Sequence, residues 1–219
     1  MTIFPELNIM IIVLLSGVIT ALVGILFGLP SLRIKGFYLA VATLASQFFL
    51  IWLFNKVPWF YNYSDTGQIT VSERTMFGIA VTGANAPSYA TYLFCLILVV
   101  GLGFAAKNMI RSKIGRSWMA IRDMDIAAEI IGVSPLKTKL SAFAISSFYI
   151  GIAGSLYFAV YLGALEVTES FDIMAISFPV LFMIIIGGLG SMLGSFLGAA
   201  FIVLLPIFLK NVMVDLIAV

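Results

Sequence analysis

The sequence predicts an all-α fold, a polytopic transmembrane helical bundle of about six spans, and three observations carry that prediction. Hydrophobic residues make up 62% of the 219 and charged residues only 10%, with a mean hydropathy of +1.15, whereas an average soluble domain carries roughly 25% charged residues. The twelve basic and ten acidic residues are gathered into a few stretches separated by long charge-free runs. That is the pattern expected when a charge at the bilayer centre costs about 2.5–3.5 kcal/mol on insertion scales. The chain has no histidine, and its one cysteine, Cys95, lies inside an apolar run. Those two facts exclude a histidine dyad or triad, a disulfide framework and a CxxC metal or redox site, and leave Cys95 as a small apolar packing residue.

The spans follow in order. From Leu7 to Leu29 there is no Asp, Glu, Lys or Arg, and the run exceeds the roughly 20 residues that cross a hydrocarbon core as a helix. Only Glu6 precedes it, and the basic Arg33 and Lys35 come after it, so the span at 7–29 reads as a retained helix rather than a signal peptide. Further spans are expected at 36–54, 88–106 and 140–162. From Ile173 to Leu209 charge is absent, and the break Gly187-Gly188-Leu189-Gly190-Ser191 divides the run into two short spans, 173–187 and 191–209. A re-entrant hairpin is the competing reading of that run. With neither an internal repeat nor a low-complexity tract, residues 1–219 read as a single membrane domain.

Charge sets the expected orientation. The stretch 107–139 holds Lys107, Arg111, Lys113, Arg116, Arg122, Lys137 and Lys139 against Asp123, Asp125 and Glu129, which assigns it to the cytoplasm by the enrichment of Lys and Arg in inner loops. Counting spans from there puts Arg33 and Lys35 inside. Loops 55–87 and 163–172, the latter with Glu166, Glu169 and Asp172, fall outside. The amino terminus also falls outside, so either a short tail is translocated or upstream spans are missing. Trp59, Phe60, Tyr61 and Tyr63 read as headgroup-level anchors. The rest of that loop, with Asp65, Thr66, Gly67, Glu73 and Arg74, is long enough to cap a pore mouth or to touch an external partner.

The inner loop carries most of the functional information. Arg116 to Arg122 can continue the third span's helix, Asp125 is a plausible N-cap for a short helix Ile126–Ile131, and Gly132 ends it. Ser134 followed by Pro135 is a helix start signal, so the fourth span begins below the membrane. On the short helix Ile126, Ala127, Ile130 and Ile131 form an apolar knob with Ala128 between them, flanked by Arg122, Asp123, Asp125 and Glu129. Such a knob fits a groove on another protein; packing against the chain's own helix ends is the other reading.

Gly24 with Gly28, and Gly190, Gly194 and Gly198, recur every four residues, the spacing that lets helix backbones approach in lipid. Gly188 and Gly190 do not begin a dinucleotide fingerprint, because Leu193 stands where a third glycine is required. The proposed spans contain no ionisable Asp, Glu, Lys or Arg, which argues against ion coupling through such groups and for energy supplied from elsewhere, although sodium coupling through backbone carbonyls stays open. There is no GxxxxGK[ST] loop either, so the chain is not expected to hydrolyse ATP or to act as an enzyme. Thr43, Ser46 and Gln47 in the second span, and Ser146, Ser147 and Tyr149 in the fourth, either line a path for a small polar solute or make helix-to-helix hydrogen bonds.

Three ordered stretches carry a family resemblance. The first is Gly28-Leu29-Pro30-Ser31-Leu32-Arg33-Ile34-Lys35-Gly36-Phe37-Tyr38-Leu39-Ala40. The second runs Gly115-Arg116-Ser117-Trp118-Met119-Ala120-Ile121-Arg122-Asp123, then Ile126-Ala127-Ala128-Glu129 and Gly132-Val133. The third is Gly187-Gly188-Leu189-Gly190-Ser191 continuing to Gly198-Ala199. Together they resemble the branched-chain amino-acid ABC transporter permease family, specifically its M-type permease, over about Gly24 to Lys210.

The resemblance implies an ABC importer permease of the bacterial inner membrane that moves branched-chain amino acids or related small polar solutes. Its partners would be a second permease subunit in a heterodimer, two cytoplasmic ATPase subunits, a periplasmic solute-binding protein and the lipid bilayer. Neither a cofactor, a metal nor a nucleic-acid partner is expected. The short helix becomes a cytoplasmic coupling helix, and Arg122, Asp125, Ile126, Ala127, Ala128, Glu129 and Gly132 become the ATPase-docking residues. The chain departs from the family in having one helix before Gly28-Leu29-Pro30 where further spans are usual. It also has Asp65-Thr66-Gly67-Gln68 near the place of a glycine-rich run, and Ser195 in place of a common proline. Urea and short-chain amide importers look similar at this level. An ion-coupled carrier or channel acting without an ATPase, and a nonfunctional truncated permease, are the alternatives.

Overall fold

Asn8 starts the first helix: its Oδ1 accepts the Met10 N–H at 3.0 Å, satisfying one of the donors that a helix N-terminus leaves without a partner. The computed structural model describes residues 7–32, 37–61, 63–64, 67–76, 79–83, 86–166 and 172–217. Arg33, Lys35, Asp65, Thr66 and Glu169 lie outside the described residues. The chain forms two compact units, Met1–Glu166 and Val167–Val219.

In the first unit, α1 (Ile9–Ser31) lies along α6 (Pro135–Leu156). The two run antiparallel, since Gly17 meets Phe148, Gly24 meets Ser147 and Gly28 meets Phe143. A Cβ on Gly24 would collide with the Ser147 hydroxyl, and one on Gly17 would come within 2.8 Å of the Phe148 ring. The seam is closed from the α6 side by Gly151, which sits against Ser16 and Thr20. The Ser16 hydroxyl lies 3.1 Å from the Gly151 carbonyl and donates to it. Small residues here let dispersion contacts and interhelical hydrogen bonds hold two helices that lipid would otherwise solvate equally well.

Helix α2 (Phe37–Lys56) touches α1 through Phe27 and Phe49, whose ring centroids are 6.2 Å apart. It leads into a 3-10 turn, Pro58–Tyr61, where Phe60 packs edge-on against Phe54 at 4.8 Å. The segment that follows, expected only as a loop, contains short strands: β1 (Gln68–Thr70), β2 (Arg74–Met76) and β3 (Ile79–Thr82). β2 and β3 pair as an antiparallel hairpin with an irregular register after Arg74. β1 pairs antiparallel with β4 (Ala164–Glu166), with Gln68 opposite Glu166. The Gln68 Nε2 donates to the Glu166 carboxylate at 3.2 Å.

Arg74 is 5% exposed, and its guanidinium donates to the Leu7 carbonyl, pinning the hairpin to the entry of α1. Burial lowers its pKa from the ordinary arginine value, by penalising the charged form. Beside it lies the apolar core of the unit, built from Ile9, Val13, Val81, Phe94 and Ile152, with Met76, Leu98 and Phe148 packed around them.

The remaining elements of this unit are α3 (Ser88–Arg111), α4 (Lys113–Asp123) and α5 (Asp125–Ile130). After α6 the chain tightens into a π-helical turn, Tyr157–Leu162, before β4. Two sequence expectations are refined here. The basic stretch does not continue α3, because Ser112 takes an extended backbone (ψ 176°) and restarts the chain as α4. The N-cap of α5 is Met124, also extended, with Asp125 as the first helical residue.

The second unit begins with a π turn, Ile173–Ser177, followed by α7 (Phe178–Gly187) and α8 (Met192–Ile217). Gly187 and Gly194 meet backbone to backbone, and a Cβ on Gly198 would run into the Met183 carbonyl. Gly190, placed by its spacing on the same face, instead lies in the turn with φ +90°. Its role there is conformational, since only glycine adopts that backbone without strain. Alone, the 10 residues of α7 span about 15 Å at 1.5 Å per residue, and the π turn that runs into it extends the helical run to Ile173–Gly187.

Among the described residues four helices are long and apolar enough to cross a bilayer: Ile9–Pro30, Ser88–Arg111, Pro135–Leu162 and Met192–Met213. With so many large apolar side chains facing outward along them, the fold is that of a polytopic helical membrane protein.

Candidate functional site

The α4–α5 region is built as a rigid bracket. Trp118 and Ile121, three residues apart, fall on the side of α4 that faces α6. The Trp118 indole N–H donates to the Ser141 hydroxyl at 2.9 Å, and Ser141 in turn donates to the Thr138 carbonyl at 2.8 Å. Ile121 is buried, and Gly115 sits so close to the Ile110 carbonyl that no side chain fits. The amphipathic spacing of Trp118 and Ile121 was the available signal for this bracket; charge counting passes over it.

Helix α5 stands on that bracket. Ala128 is 2% exposed and anchors it. Its end is fixed by two backbone bonds, Val133 N–H to the Ala128 carbonyl at 3.0 Å and Gly132 N–H to the Glu129 carbonyl at 3.0 Å. Gly132 sits between them at φ +90°, completing a Schellman stop that requires a left-handed residue there. Asp125 reaches the Lys139 ammonium at 3.8 Å, and Arg122 pairs with Asp123 at 2.9 Å on the exposed surface. Exposed pairs of this kind contribute about 0–1 kcal/mol, so the bracket is held by packing and the stop rather than by charge.

Anchored this way, α5 turns its apolar side chains out: Ile126 is 75% exposed and Ile130 81%. Ile131, Met124 and Ala127 are exposed beside them, as are Glu129 and Gly132 at the rim. Met124 joins the knob, which the sequence reading did not include. Of the two readings of the knob, packing against the chain's own helix ends accounts only for Ala128.

The polar mid-span residues do not converge on one site. Ser147 is buried in the α1–α6 seam against Gly24. The Tyr149 hydroxyl donates to the Leu102 carbonyl at 3.1 Å, joining α6 to α3. Ser146 is exposed and donates to the Phe143 carbonyl of its own helix at 3.0 Å, and Ser46 does the same to Ala42 at 2.8 Å. Thr43 and Gln47 lie on α2 with Ser46, exposed and half-buried respectively. Among the described residues no cluster of three or more His, Cys, Asp or Glu could hold a metal ion.

Apolar helices of crossing length, two of them joined through α4 and α5, define a multi-pass membrane protein. The family described as branched-chain amino acid transport system / permease component matches residues 2–215, and the chain belongs to that family. Its members are transport subunits, not enzymes. Two curated relatives, both the high-affinity branched-chain amino acid transport system permease protein LivM, come from Salmonella typhimurium and Escherichia coli. Each is 32% identical over 209 residues, covering 86% of this chain and 48% of the relative. The chain thus spans about half the length of the curated relatives it matches. No solved structure matches.

Proposed function

We propose that this chain is the permease subunit of an ABC importer for branched-chain amino acids or related small polar solutes in a bacterial inner membrane. Partner ATPases dock on the loop 107–139, a sister permease completes the membrane part, and an external binding protein delivers the solute. The observation that carries this reading is the exposed knob of α5 on its fixed base. Side chains such as Ile126 and Ile130 gain about 1.5–3 kcal/mol each when taken out of water, so a rigid helix that holds several of them exposed is suited to a groove on another protein.

Two further observations support the orientation. The loops 55–87 and 163–172, which the charge pattern assigns to the same outer side, meet through β1 and β4. The basic stretch with α4 and α5 lies at the other ends of α3 and α6. The docking residues are then Arg122, Asp125, Ile126, Ala127, Ala128, Glu129 and Gly132. Ala128 and Gly132 set the helix, while Ile126 and Ala127 make the contact. The hydroxyl and amide groups of Thr43, Ser46, Gln47 and Ser146 are proposed as part of the solute path; Ser147 and Tyr149 act mainly as links between helices.

The reading is tested by leucine uptake into vesicles carrying the complete transporter. Uptake requires ATP and the binding protein; uptake driven by an ion gradient alone refutes it. Because Ala127 is exposed, Ala127→Asp leaves the chain in the membrane and abolishes both ATPase co-purification and transport. Wild-type co-purification in that variant removes α5 from the docking site.

A further inference from the structure

At the strand-bearing end of the first unit lies a cavity of about 750 Å³, within the roughly 300–1,000 Å³ typical of small-molecule sites. Three separate parts of the chain wall it: β3 through Val81 and Thr82, the first turns of α3 through Thr91 and Cys95, and the π turn after α6 through Ala159 and Val160. Among the described residues that line it, none is Asp, Glu, Lys or Arg.

Its two threonine hydroxyls are engaged with backbone carbonyls. Thr91 donates to the Val81 carbonyl at 3.1 Å and Thr82 to the Ser72 carbonyl at 3.2 Å. Val71, Val81, Ala86, Ala159 and Val160 give the cavity its apolar wall, and a charge buried against them would lack compensation. The π turn, Tyr157–Leu162, is a wider winding than the α-helix it extends, a form frequent at functional sites. It carries buried Ala159 into the wall. The wall is braced where the Val71 N–H donates to the Gly163 carbonyl at 2.8 Å. At the mouth stand two exposed tyrosines, Tyr92 and Tyr161.

We infer that this cavity is a vestibule that receives the aliphatic side chain of a small zwitterionic solute, against Val81 and Val160, with the charged atoms left at the mouth beside Tyr92 and Tyr161. The choice of solute rests on the importer reading above. The vestibule itself rests on the cavity and its lining. It selects by apolar shape before any charge is read, and so admits leucine while rejecting lysine and glutamate.

Cys95 supplies the assay, because it lines the cavity and is the only thiol in the chain. In the assembled transporter, saturating leucine slows N-ethylmaleimide labelling of Cys95 at least fivefold, measured as the mass of this chain, while lysine and glutamate leave the rate unchanged. Val160→Trp, at a part-exposed position, fills the cavity and abolishes protection with the amount of chain in the membrane unaltered. Labelling that leucine does not slow, in vesicles that still take up leucine, overturns the vestibule and leaves the importer standing. Protection equally strong with lysine overturns the apolar selection. Protection by leucine in a complex whose uptake needs no ATP supports the vestibule and overturns the importer.

Discussion

The two ends of the first unit use similar apolar residues to opposite effect. At the strand end, Ile9, Val13, Val81, Phe94 and Ile152 come from α1, α3, α6 and a hairpin and bury one another. At the α5 end, Met124, Ile126, Ile130 and Ile131 stand out from the chain, although the helix beneath them is anchored by Ala128 and ended by a fixed stop at Gly132. The difference lies in what the polar groups do. At the strand end Arg74 and Thr82 are turned inward and bonded to carbonyls, which lets apolar side chains close over them. At the α5 end the bonds of Trp118 and Ser141 tie α4 to α6 and that of Gly132 ends α5, and none of them draws an apolar cover over the helix. One end is covered by its own chain, and the other leaves its apolar side chains uncovered.

The comparison breaks most visibly at Ile152, which is 1% exposed. Ile152→Ala removes a side chain shared by the seam and the hairpin core and costs about 2–5 kcal/mol, seen as a lowered unfolding temperature in detergent. Trp118→Phe keeps the ring but loses the bond to Ser141, at about 0.5–1.5 kcal/mol. It loosens α5 enough to weaken ATPase co-purification before it affects global unfolding. Ile130→Ser changes stability by no more than about 0.5 kcal/mol, as expected of an exposed position away from buried features, yet weakens co-purification of the ATPase. An unfolding shift at Ile130 as large as that at Ile152 would erase the distinction between the two ends.

Much of this was legible in the sequence, for identifiable reasons. The crossing helices α1 and α3 follow from charge-free runs, and the start of α6 from Ser134 and Pro135, where it begins. Gly132 reads as a stop because few other residues take its backbone. The break at Ser112 was not legible, since nothing about a serine between arginine and lysine demands an extended backbone. The strands at 68–82 were missed because they are three or four residues long and hold their place by pairing across the chain rather than by local preference. The run Ile79-Ala80-Val81-Thr82, rich in β-branched residues, was the faint signal. The π turns leave no sequence mark, and with them went the wall of the vestibule. Gly190 was placed on a face by counting fours, when the turn ahead of α8 had the stronger need for it.

The pairing of Gln68 with Glu166 joins residues 98 apart in the chain, and that separation is also an interval of time. At a synthesis rate of roughly 5–20 residues per second, β1 leaves the ribosome about 5–20 s before β4 exists to pair with it. Helix α1 waits still longer for α6, entering the membrane with its glycine face in contact with lipid or insertion machinery. The β1–β4 pairing and the α1–α6 seam are therefore among the last parts of the first unit to form. A ribosome pause or truncation before residue 166 leaves a chain that has already crossed the bilayer but has not yet closed.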